Sequence, residues 1–313
     1  MDSKLKGTLC GIGAALCYGT NPLGATYLTR DGISTNTTLF YRFALATLIL
    51  GVMMAVQRKS FALTSREFGL LAILGVLMSS SSTTLYFSFN YMDVGIASTL
   101  LFVYPIMVAV LMMVLFHEKL TLVTALSIAL ALGGIALLNQ TSDGSALSTL
   151  GVVLVMLSSL TYAVYIVVVN KSSLRLSSVK LTFYVLLFGA FTILSFTFAT
   201  GETVQLLTTP RQWLFALQLA VLPTVLSLVL MVIAVHDIGS TPTAIMGALE
   251  PITAVAIGVL LFGEDFTMRF AVGIVLILFG VLLIIGGKEV SPHKITMVIG
   301  RLGRTLMKTW RWK

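Results

Sequence analysis

The chain of 313 residues is 57% hydrophobic and 10% charged, has a mean hydropathy of +1.00 and carries a formal net charge of +8. Charged residues make up about a quarter of an ordinary globular chain, so this composition excludes a soluble domain of this size. It predicts an all-α integral membrane protein, because open sheets leave backbone polar groups unpaired in hydrocarbon.

Apolar runs of roughly 20 residues, the length a helix needs to cross hydrocarbon, recur along the chain between turn residues and charges. Ten spans are predicted, at residues 5–28, 35–57, 67–90, 95–116, 121–139, 149–170, 178–200, 211–235, 241–262 and 267–287. The connections are short and leave no room for a soluble catalytic domain. Cys10 and Cys17 would lie about 10 Å apart along the first helix, too far for a disulfide, and are interpreted as packing residues.

Lys and Arg are distributed unequally between the two sides of this arrangement. With the N-terminus inside, sixteen of them fall in the inner segments. The outer loops hold only Arg30, Arg211 and Arg269, and Arg42 falls within the second span. The positive-inside rule therefore predicts a multi-pass protein with both termini in the cytoplasm, and the expected location is the bacterial cytoplasmic membrane.

The chain contains an internal repeat with an offset of 146 residues. The first copy runs from Tyr104 to Leu138 and the second from Glu250 to Ile284. The matched pairs include Tyr104/Glu250, Pro105/Pro251, Glu118/Glu264, Thr121/Thr267, Ser127/Gly273 and Gly134/Gly280, and an offset of 144 matches Gly7 and Tyr18 with Gly151 and Tyr162. Five spans per half is an odd number, so the halves, at residues 1–140 and 147–288, are predicted to be inverted, a recurring plan of secondary transporters.

The tail, residues 291–313, has a different pattern. Its apolar residues fall on one helical face and its basic residues on the opposite face, among them Arg301, Arg304 and Lys308. This pattern predicts an amphipathic helix that lies on the anionic headgroups of the cytoplasmic leaflet. A calmodulin-type target has a similar pattern. Nucleic acid is not an expected partner, because the basic charge is tied to the membrane surface.

The segment Tyr86–Leu138, YFSFNYMDVGIASTLLFVYPIMVAVLMMVLFHEKLTLVTALSIALALGGIALL, resembles an EamA-type repeat of the drug/metabolite transporter superfamily. The second copy, with LEP at Leu249–Pro251 and GED at Gly263–Asp265, is the more typical one. Arg42 and Phe43 also resemble the family, and the resemblance covers nearly all of residues 1–290. It implies a ten-helix carrier with a central cavity, often an exporter of amino acids or other small metabolites. The chain departs from the pattern at Tyr104, where many members have Glu, and at His117, where Gly is usual, so a substrate does not transfer.

Glu250 is the first candidate for a functional residue. It falls near the middle of the ninth span, where a carboxylate is costly and usually faces a cavity or a partner. Pro251 beside it removes a backbone hydrogen bond and can kink the helix near the midplane. The functional interpretation is a ligand for a substrate amine or a proton site. The structural interpretation is a carboxylate that bonds neighbouring Ser, Thr or Tyr groups.

Arg42, near the outer end of the second span, could bind a substrate carboxylate in bidentate fashion. It could equally extend to the outer headgroups or fix a helix end. Tyr104 is the repeat mate of Glu250 and should lie at the symmetry-related position of the cavity.

Polar faces on several spans complete the candidate cavity. Their members are Tyr18 and Asn21 on the first span, Ser79, Thr83, Tyr86 and Asn90 on the third, Tyr162 and Tyr165 on the sixth, and Thr224 and Ser227 on the eighth. Such faces line a cavity or bond across helices. Helix breaks are predicted at Pro22, Pro105, Pro223 and Pro251. Aromatic and hydroxyl groups dominate, so the cavity suits an uncharged, zwitterionic or aromatic solute better than a phosphate.

The leading hypothesis is a secondary transporter that works by alternating access, with no cofactor and no metal. A membrane-embedded enzyme would need clustered ligands or a nucleophile with a base, and the three His residues are scattered along the chain. A receptor or scaffold would not need an inverted duplication with a midplane Glu and Pro. Gly273, Gly280 and Gly287 recur every seven residues on the tenth span and indicate close helix packing, within the fold or between the protomers of a homodimer.

Overall fold

The computed structural model describes residues 3–117, 121–138, 147–172, 174 and 176–287. Over these residues the chain is folded into helices with short connections, and no strand occurs in them. The predicted all-α class agrees with this architecture. The tail at 291–313 and Glu118 lie outside the described residues.

The helices of the first half are α1 (Ser3–Gly19), α2 (Asn21–Arg30), α3 (Thr35–Val56), α4 (Ser65–Ser88), α5 (Val94–Leu101), α6 (Tyr104–Phe116) and α7 (Leu122–Leu138). Those of the second half are α8 (Thr149–Lys171), α9 (Ser178–Ala199), α10 (Pro210–Ala220), α11 (Ser227–Ile238), α12 (Ser240–Met246), α13 (Leu249–Ile257) and α14 (Met268–Gly287). A π-helical turn, Val221–Leu226, joins α10 to α11, and another, Gly258–Phe262, follows α13.

Six segments of the described chain are long and apolar enough to cross a membrane. They are Thr35–Val56, Ser65–Ser88, Val94–Phe116, Thr149–Lys171, Ser178–Ala199 and Pro210–Ile238. Shorter apolar helices occupy Leu122–Leu138, Leu249–Phe262 and Met268–Leu283. The chain is therefore a multi-pass integral membrane protein, and the count of ten spans stays a prediction.

Several predicted spans are interrupted, and a proline lies at or near each interruption. Pro22 is in the first turn of α2, just after α1 ends at Gly19, and Pro105 is in the first turn of α6. Pro223 lies within the π-helical turn that follows α10, and Pro251 is the third residue of α13. Proline has no backbone N–H and is tolerated in the first turn of a helix, because an N–H there has no acceptor within the helix.

Close helix packing joins the two halves through α7 and α14. A Cβ atom built on Gly134 would lie 2.7 Å from the Gly273 carbonyl oxygen. One built on Gly280 would lie 2.8 Å from the Ser127 carbonyl oxygen. Larger side chains at either glycine would force the helices apart. Since Ser127 matches Gly273 and Gly134 matches Gly280 in the sequence repeat, these two contacts exchange when the halves are exchanged.

A second pair of contacts exchanges in the same way. The Ser81 hydroxyl on α4 donates to the Ser158 carbonyl oxygen on α8, with an oxygen–oxygen distance of 2.9 Å. The Ser227 hydroxyl on α11 donates to the Ala14 carbonyl oxygen on α1, also at 2.9 Å. Ser81 and Ser227 are 146 residues apart, and Ala14 and Ser158 are 144 apart. The same hydrogen bond thus joins the two halves twice, once with its donor in each half.

Loop contacts define the two ends of the bundle. At the end that we call the Glu264 end, the Glu264 carboxylate bonds the start of α5, and Gln205 accepts a hydrogen bond from the Ser34 backbone N–H. At the opposite end, the Lys180 end, the Lys180 ammonium donates to the Ala62 carbonyl oxygen and Lys6 pairs with Asp237. The charge distribution in the sequence predicts that the Glu264 end faces outward.

Candidate functional site

Arg42 is the buried cation of the helical bundle, and only 2% of its surface is exposed. Its Nε donates to the Thr224 hydroxyl at 3.0 Å, and its Nη1 donates to the Tyr86 hydroxyl at 3.1 Å. Both acceptors are neutral, so these bonds orient the guanidinium without cancelling its charge. The side chain therefore does not extend to headgroups, which was one of the two sequence interpretations.

Tyr86 and Thr224 each donate a further hydrogen bond. The Tyr86 hydroxyl donates to Asn21 Oδ1 at 2.6 Å, and the Thr224 hydroxyl donates to the Leu219 carbonyl oxygen at 2.9 Å. Leu219 lies five residues before Thr224, so this second bond joins the π-helical segment to α10. Pro223 lies in the π-helical segment and supplies no N–H. Side chains of α2, α4 and the π-helical turn thus form one hydrogen-bonded network around the cation.

Glu250 contributes the opposite charge at a partly buried position near the start of α13. Arg42 exerts an electrostatic attraction on its carboxylate, and the two residues form no ion pair among the residues that the structure describes. Within the same described residues, no hydrogen bond reaches the Glu250 side chain. The Glu250 carboxyl and the Arg42 guanidinium thus interact without bonding each other, so each is able to bind a polar group of a solute.

A group of tyrosine rings lies near these two side chains. Tyr104 and Tyr162 make an edge-to-face contact with ring centroids 4.7 Å apart, and Tyr162 stacks with Tyr165 at 5.7 Å. Tyr18 interacts electrostatically with both Glu250 and Arg42. The repeat relates Tyr104 to Glu250 and Tyr162 to Tyr18. The Tyr104–Tyr162 contact and the Glu250–Tyr18 interaction are therefore matching interactions between the two halves.

A central cavity of about 130 Å³ lies beside Arg42 and three of the tyrosines, and the predicted cavity residues Glu250 and Tyr104 are not among its lining residues. Its lining comprises Tyr18, Arg42, Met78, Tyr162, Tyr165, Thr182, Val185, Leu186, Pro223, Thr224, Ser227, Leu228 and Met231. A second cavity of about 300 Å³ opens toward the Glu264 end, and Arg30, Tyr86, Asn90, Asp93 and Glu264 are among its lining residues. Tyr86 borders the second cavity while its hydroxyl bonds Arg42 of the first, so the Asn21–Tyr86–Arg42 chain is the barrier between them.

The remaining predicted residues lie further from this centre. The Ser79 hydroxyl is buried and donates to the Val76 carbonyl oxygen of its own helix. Thr83 is partly buried and lines neither cavity. Asn90 follows the end of α4 and lies at the Glu264 end. The polar residues of the third span therefore do not share one role: Ser79 bonds its own helix, Tyr86 bonds Arg42, and Asn90 lines the second cavity.

Sequence reasoning missed Met78 and Thr182, which line the central cavity, and Ser81, which links α4 to α8. The run of four serines at 79–82 within an apolar span was the available signal for Ser81. Thr182 lies alone among apolar residues and offers no pattern. In the part of the chain that the structure describes, no cluster of three His, Cys, Asp or Glu side chains could hold a metal ion.

Two segments of the chain, residues 5–140 and 149–286, match the model of the EamA-like transporter family. The protein belongs to the EamA-like transporter family. Among similar proteins, an uncharacterised transporter of Archaeoglobus fulgidus is 29% identical over 61% of this chain and 67% of its own length. One from Synechocystis is 32% identical over 70% and 66%, and the uncharacterised transporter YetK of Bacillus subtilis is 23% identical over 79% and 77%.

A protein of known crystal structure shares the fold of this EamA-like chain. Its TM-score is 0.64 at 15% sequence identity, over 90% of this chain and 96% of the other. At that identity the likeness concerns the fold alone. Membership of the family identifies the chain as a membrane transporter, and the solute must be argued from the site.

Proposed function

We propose that this EamA-like transporter is a secondary carrier of small zwitterionic metabolites of the amino-acid type, and that it acts by alternating access without covalent chemistry. The proposal includes ten membrane spans in two inverted halves, with both termini in the cytoplasm. Export is the proposed direction, as the family resemblance implies. The single observation that carries the solute class is that the Arg42 guanidinium and the Glu250 carboxyl interact electrostatically within the bundle without forming an ion pair.

The chemistry of the two charges matches the two ends of an amino acid. A guanidinium fork binds a carboxylate through parallel N–H bonds, and a carboxylate accepts hydrogen bonds from an ammonium group. Each of these charge-assisted bonds contributes roughly 1.5–3 kcal/mol when the surroundings are dry. The neutral partners of Arg42, the hydroxyls of Tyr86 and Thr224, can be exchanged for solute oxygen atoms without separating an ion pair.

The other residues that line the central cavity favour a solute with a small, partly apolar side chain. Tyr18, Tyr162 and Tyr165 present rings, and Val185, Leu186 and Leu228 present apolar groups to the central cavity. Arg42 is the single Lys or Arg in that lining. A phosphorylated solute carries about two negative charges and would favour more cations, so phosphate esters fit this site poorly.

Alternating access is supported by contacts that exchange between the halves. The Gly134–Gly273 and Ser127–Gly280 contacts are two copies of one geometry, as are the serine hydrogen bonds from Ser81 and Ser227. If the halves trade conformations, the same chain gives a state open to the opposite side. The hydrogen-bonded chain through Tyr86 would then separate the central cavity from one side at a time.

The proposal is tested by flux in proteoliposomes, with three probes that differ by one charge each: leucine, isoamylamine and N-acetyl-leucine. We expect saturable flux of leucine or another neutral amino acid. Glu250→Gln should lower the flux of leucine and of the amine, because both need a partner for the ammonium group. Arg42→Gln should lower the flux of leucine and of the N-acetyl compound, because both need a partner for the carboxylate.

Each substitution removes one or two charge-assisted bonds, so the apparent affinity should fall about 10- to 100-fold. Arg211→Gln and Glu202→Gln are the matched controls, because both residues lie at the Glu264 end and outside the central lining. Equal effects of Glu250→Gln and Arg42→Gln on all three probes would contradict the assignment of the two charges. Absence of saturable flux of any amino acid, amine or acid in a broader screen would contradict the solute class.

A further inference from the structure

The carboxylate of Glu264 joins the two halves of the chain at the Glu264 end. Its Oε1 accepts a hydrogen bond from the Val94 backbone N–H at 2.7 Å, and its Oε2 accepts one from the Gly95 N–H at 3.1 Å. Val94 and Gly95 are the first two residues of α5. A side chain of the second half thus occupies the N-terminus of a helix of the first half.

This arrangement replaces the cap that α5 lacks. The first N–H groups of a helix have no partner within the helix, and the residue before it usually supplies a side-chain acceptor. Asp93 occupies that position in α5, yet its side chain makes no capping bond. Glu264 supplies the acceptor instead, and its negative charge meets the positive end of the helix dipole.

The backbone around the carboxylate is shaped to receive it. A Cβ atom built on Gly258 would lie 2.0 Å from Glu264 Oε2, and one on Gly95 would lie 3.0 Å from the same atom. Gly263 adopts a left-handed conformation with φ of 72° and turns the chain after the π-helical segment. The Glu264 N–H then bonds the Gly258 carbonyl oxygen at 3.0 Å. Three glycines therefore fix where the carboxylate lies.

The bond also lies where movement between the halves would have to begin. Gly95 packs directly on Val255 of α13, with its ideal Cβ 3.2 Å from the Val255 Cα. Pro251 and Glu250 lie one turn earlier on α13, and Glu264 lines the cavity of about 300 Å³ that opens at this end. Parting α5 from α13 requires the carboxylate to leave the helix terminus.

We propose that Glu264 caps α5 from the other half of the chain, holds α5 against α13 in a closed arrangement of these two helices, and releases α5 when the carrier opens further to the Glu264 side. The proposal rests on the transport function proposed above, because only a carrier that opens needs to break this contact. It assigns Glu264 a positioning role, since Glu264 bonds the backbone of α5 and does not line the central cavity.

Charged neighbours modulate the cap. The groups that face Glu264 are Asp93 at the start of α5 and Arg30 across the cavity, and Asp265 acts on Asp93. Burial, with a smaller contribution from Asp93, raises the pKa of the Glu264 carboxyl to about 7, against the lowering effect of the two backbone N–H groups. A carboxyl released into water would titrate near its ordinary value, so protonation favours the closed arrangement.

The test is the reactivity of a buried reporter thiol in Val255→Cys, in a background with Cys10→Ala and Cys17→Ala. Reconstituted protein is treated with a small, membrane-impermeant thiol reagent. We expect Glu264→Ala to raise the labelling rate at position 255 by about tenfold or more. Glu264→Gln keeps an acceptor oxygen and should label more slowly than Glu264→Ala. Glu202→Ala removes another carboxylate at the same end and should leave the rate unchanged.

A second reporter distinguishes opening from unfolding. Ala46 is fully buried on α3, away from α5 and α13, so Ala46→Cys reports loss of the whole fold. A rise at position 255 alone supports the cap. An unchanged rate at position 255 in Glu264→Ala overturns it, and so does an equal rise at both reporters, which would make Glu264 a general fold determinant. Labelling needs no solute, so these outcomes are read independently of the flux measurements.

Discussion

The substitution Gly258→Ala tests the cap without touching the carboxylate itself. The new methyl carbon would lie 2.0 Å from Glu264 Oε2 and 2.6 Å from its Cδ, whereas ordinary contacts begin near 3.4 Å. The carboxylate must therefore move by about 1.4 Å or more. The Gly95 N–H bond to Oε2 is already 3.1 Å long and breaks, and the Val94 bond weakens.

The size of the effect follows from those two bonds. A hydrogen bond to a charged group contributes about 1.5–3 kcal/mol, so losing one and weakening another should favour the open arrangement by about 2–4 kcal/mol. That free energy corresponds to a rise in labelling at Val255→Cys of roughly 30- to 1000-fold. Alanine itself stabilises a helical position by up to about 1 kcal/mol in both arrangements and does not change their ratio.

Gly69→Ala is the matched control, because Gly69 also lies within a helix and a Cβ there meets nothing within 4 Å. The sharpest check is the double variant with Glu264→Ala, which removes the atoms that the methyl group would strike. In that background Gly258→Ala should add little, and the two effects should be strongly non-additive. Additive effects, or wild-type labelling in the single variant, would refute the reasoning.

Three further outcomes are expected. Tyr86→Phe leaves a buried guanidinium nitrogen without its acceptor and should lower the free energy of unfolding of the detergent-solubilised protein by about 2–3 kcal/mol, as measured by thermal denaturation. Tyr184→Phe, near the surface, should cost about 1 kcal/mol or less. Equal losses in the two variants would contradict the buried network. Gly134→Leu should abolish the monodisperse peak of the protein in size-exclusion chromatography. Gly133→Leu should preserve the peak, because the nearest atom to a Cβ at that position lies 4.0 Å away. A monodisperse peak for Gly134→Leu would contradict the close packing. In Val255→Cys with Glu264 intact, the labelling rate, corrected for the thiolate fraction, should fall as the pH is lowered from about 8 to 5. The reason is that the closed arrangement binds more protons through Glu264. A flat pH profile would contradict that linkage.

The sequence repeat predicted the helix packing better than it predicted the helix ends. The pair Gly134 and Gly280 was visible as a match at constant offset, and both residues do lie where helices approach closely. Small residues are needed there whatever the solute is. The breaks near Thr20 and Val103 were harder to place, because the residues around them are as apolar as a continuous span and only the nearby prolines signal a change.

The site residues that could be predicted from the sequence are those whose charge is costly to bury within a membrane. Arg42 and Glu250 stand out because a charge at that depth needs a reason. The partners of Arg42 could not be chosen among several hydroxyls, since Thr224 lies 182 residues away and reaches it only through the π-helical turn. The link from Glu264 to Val94 joins the two halves, so neither copy of the repeat contains the information on its own.

The tight packing of α7 on α14 also sets an order for biosynthesis. Gly134 leaves the ribosome long before Gly273, so the glycine face of α7 enters the membrane with no partner for its closest contact. Until the last helix is made, that face must be covered by lipid or by the insertion machinery. A nascent chain that stops before α14 therefore exposes a backbone groove, a feature by which membrane quality control could recognise an unfinished carrier.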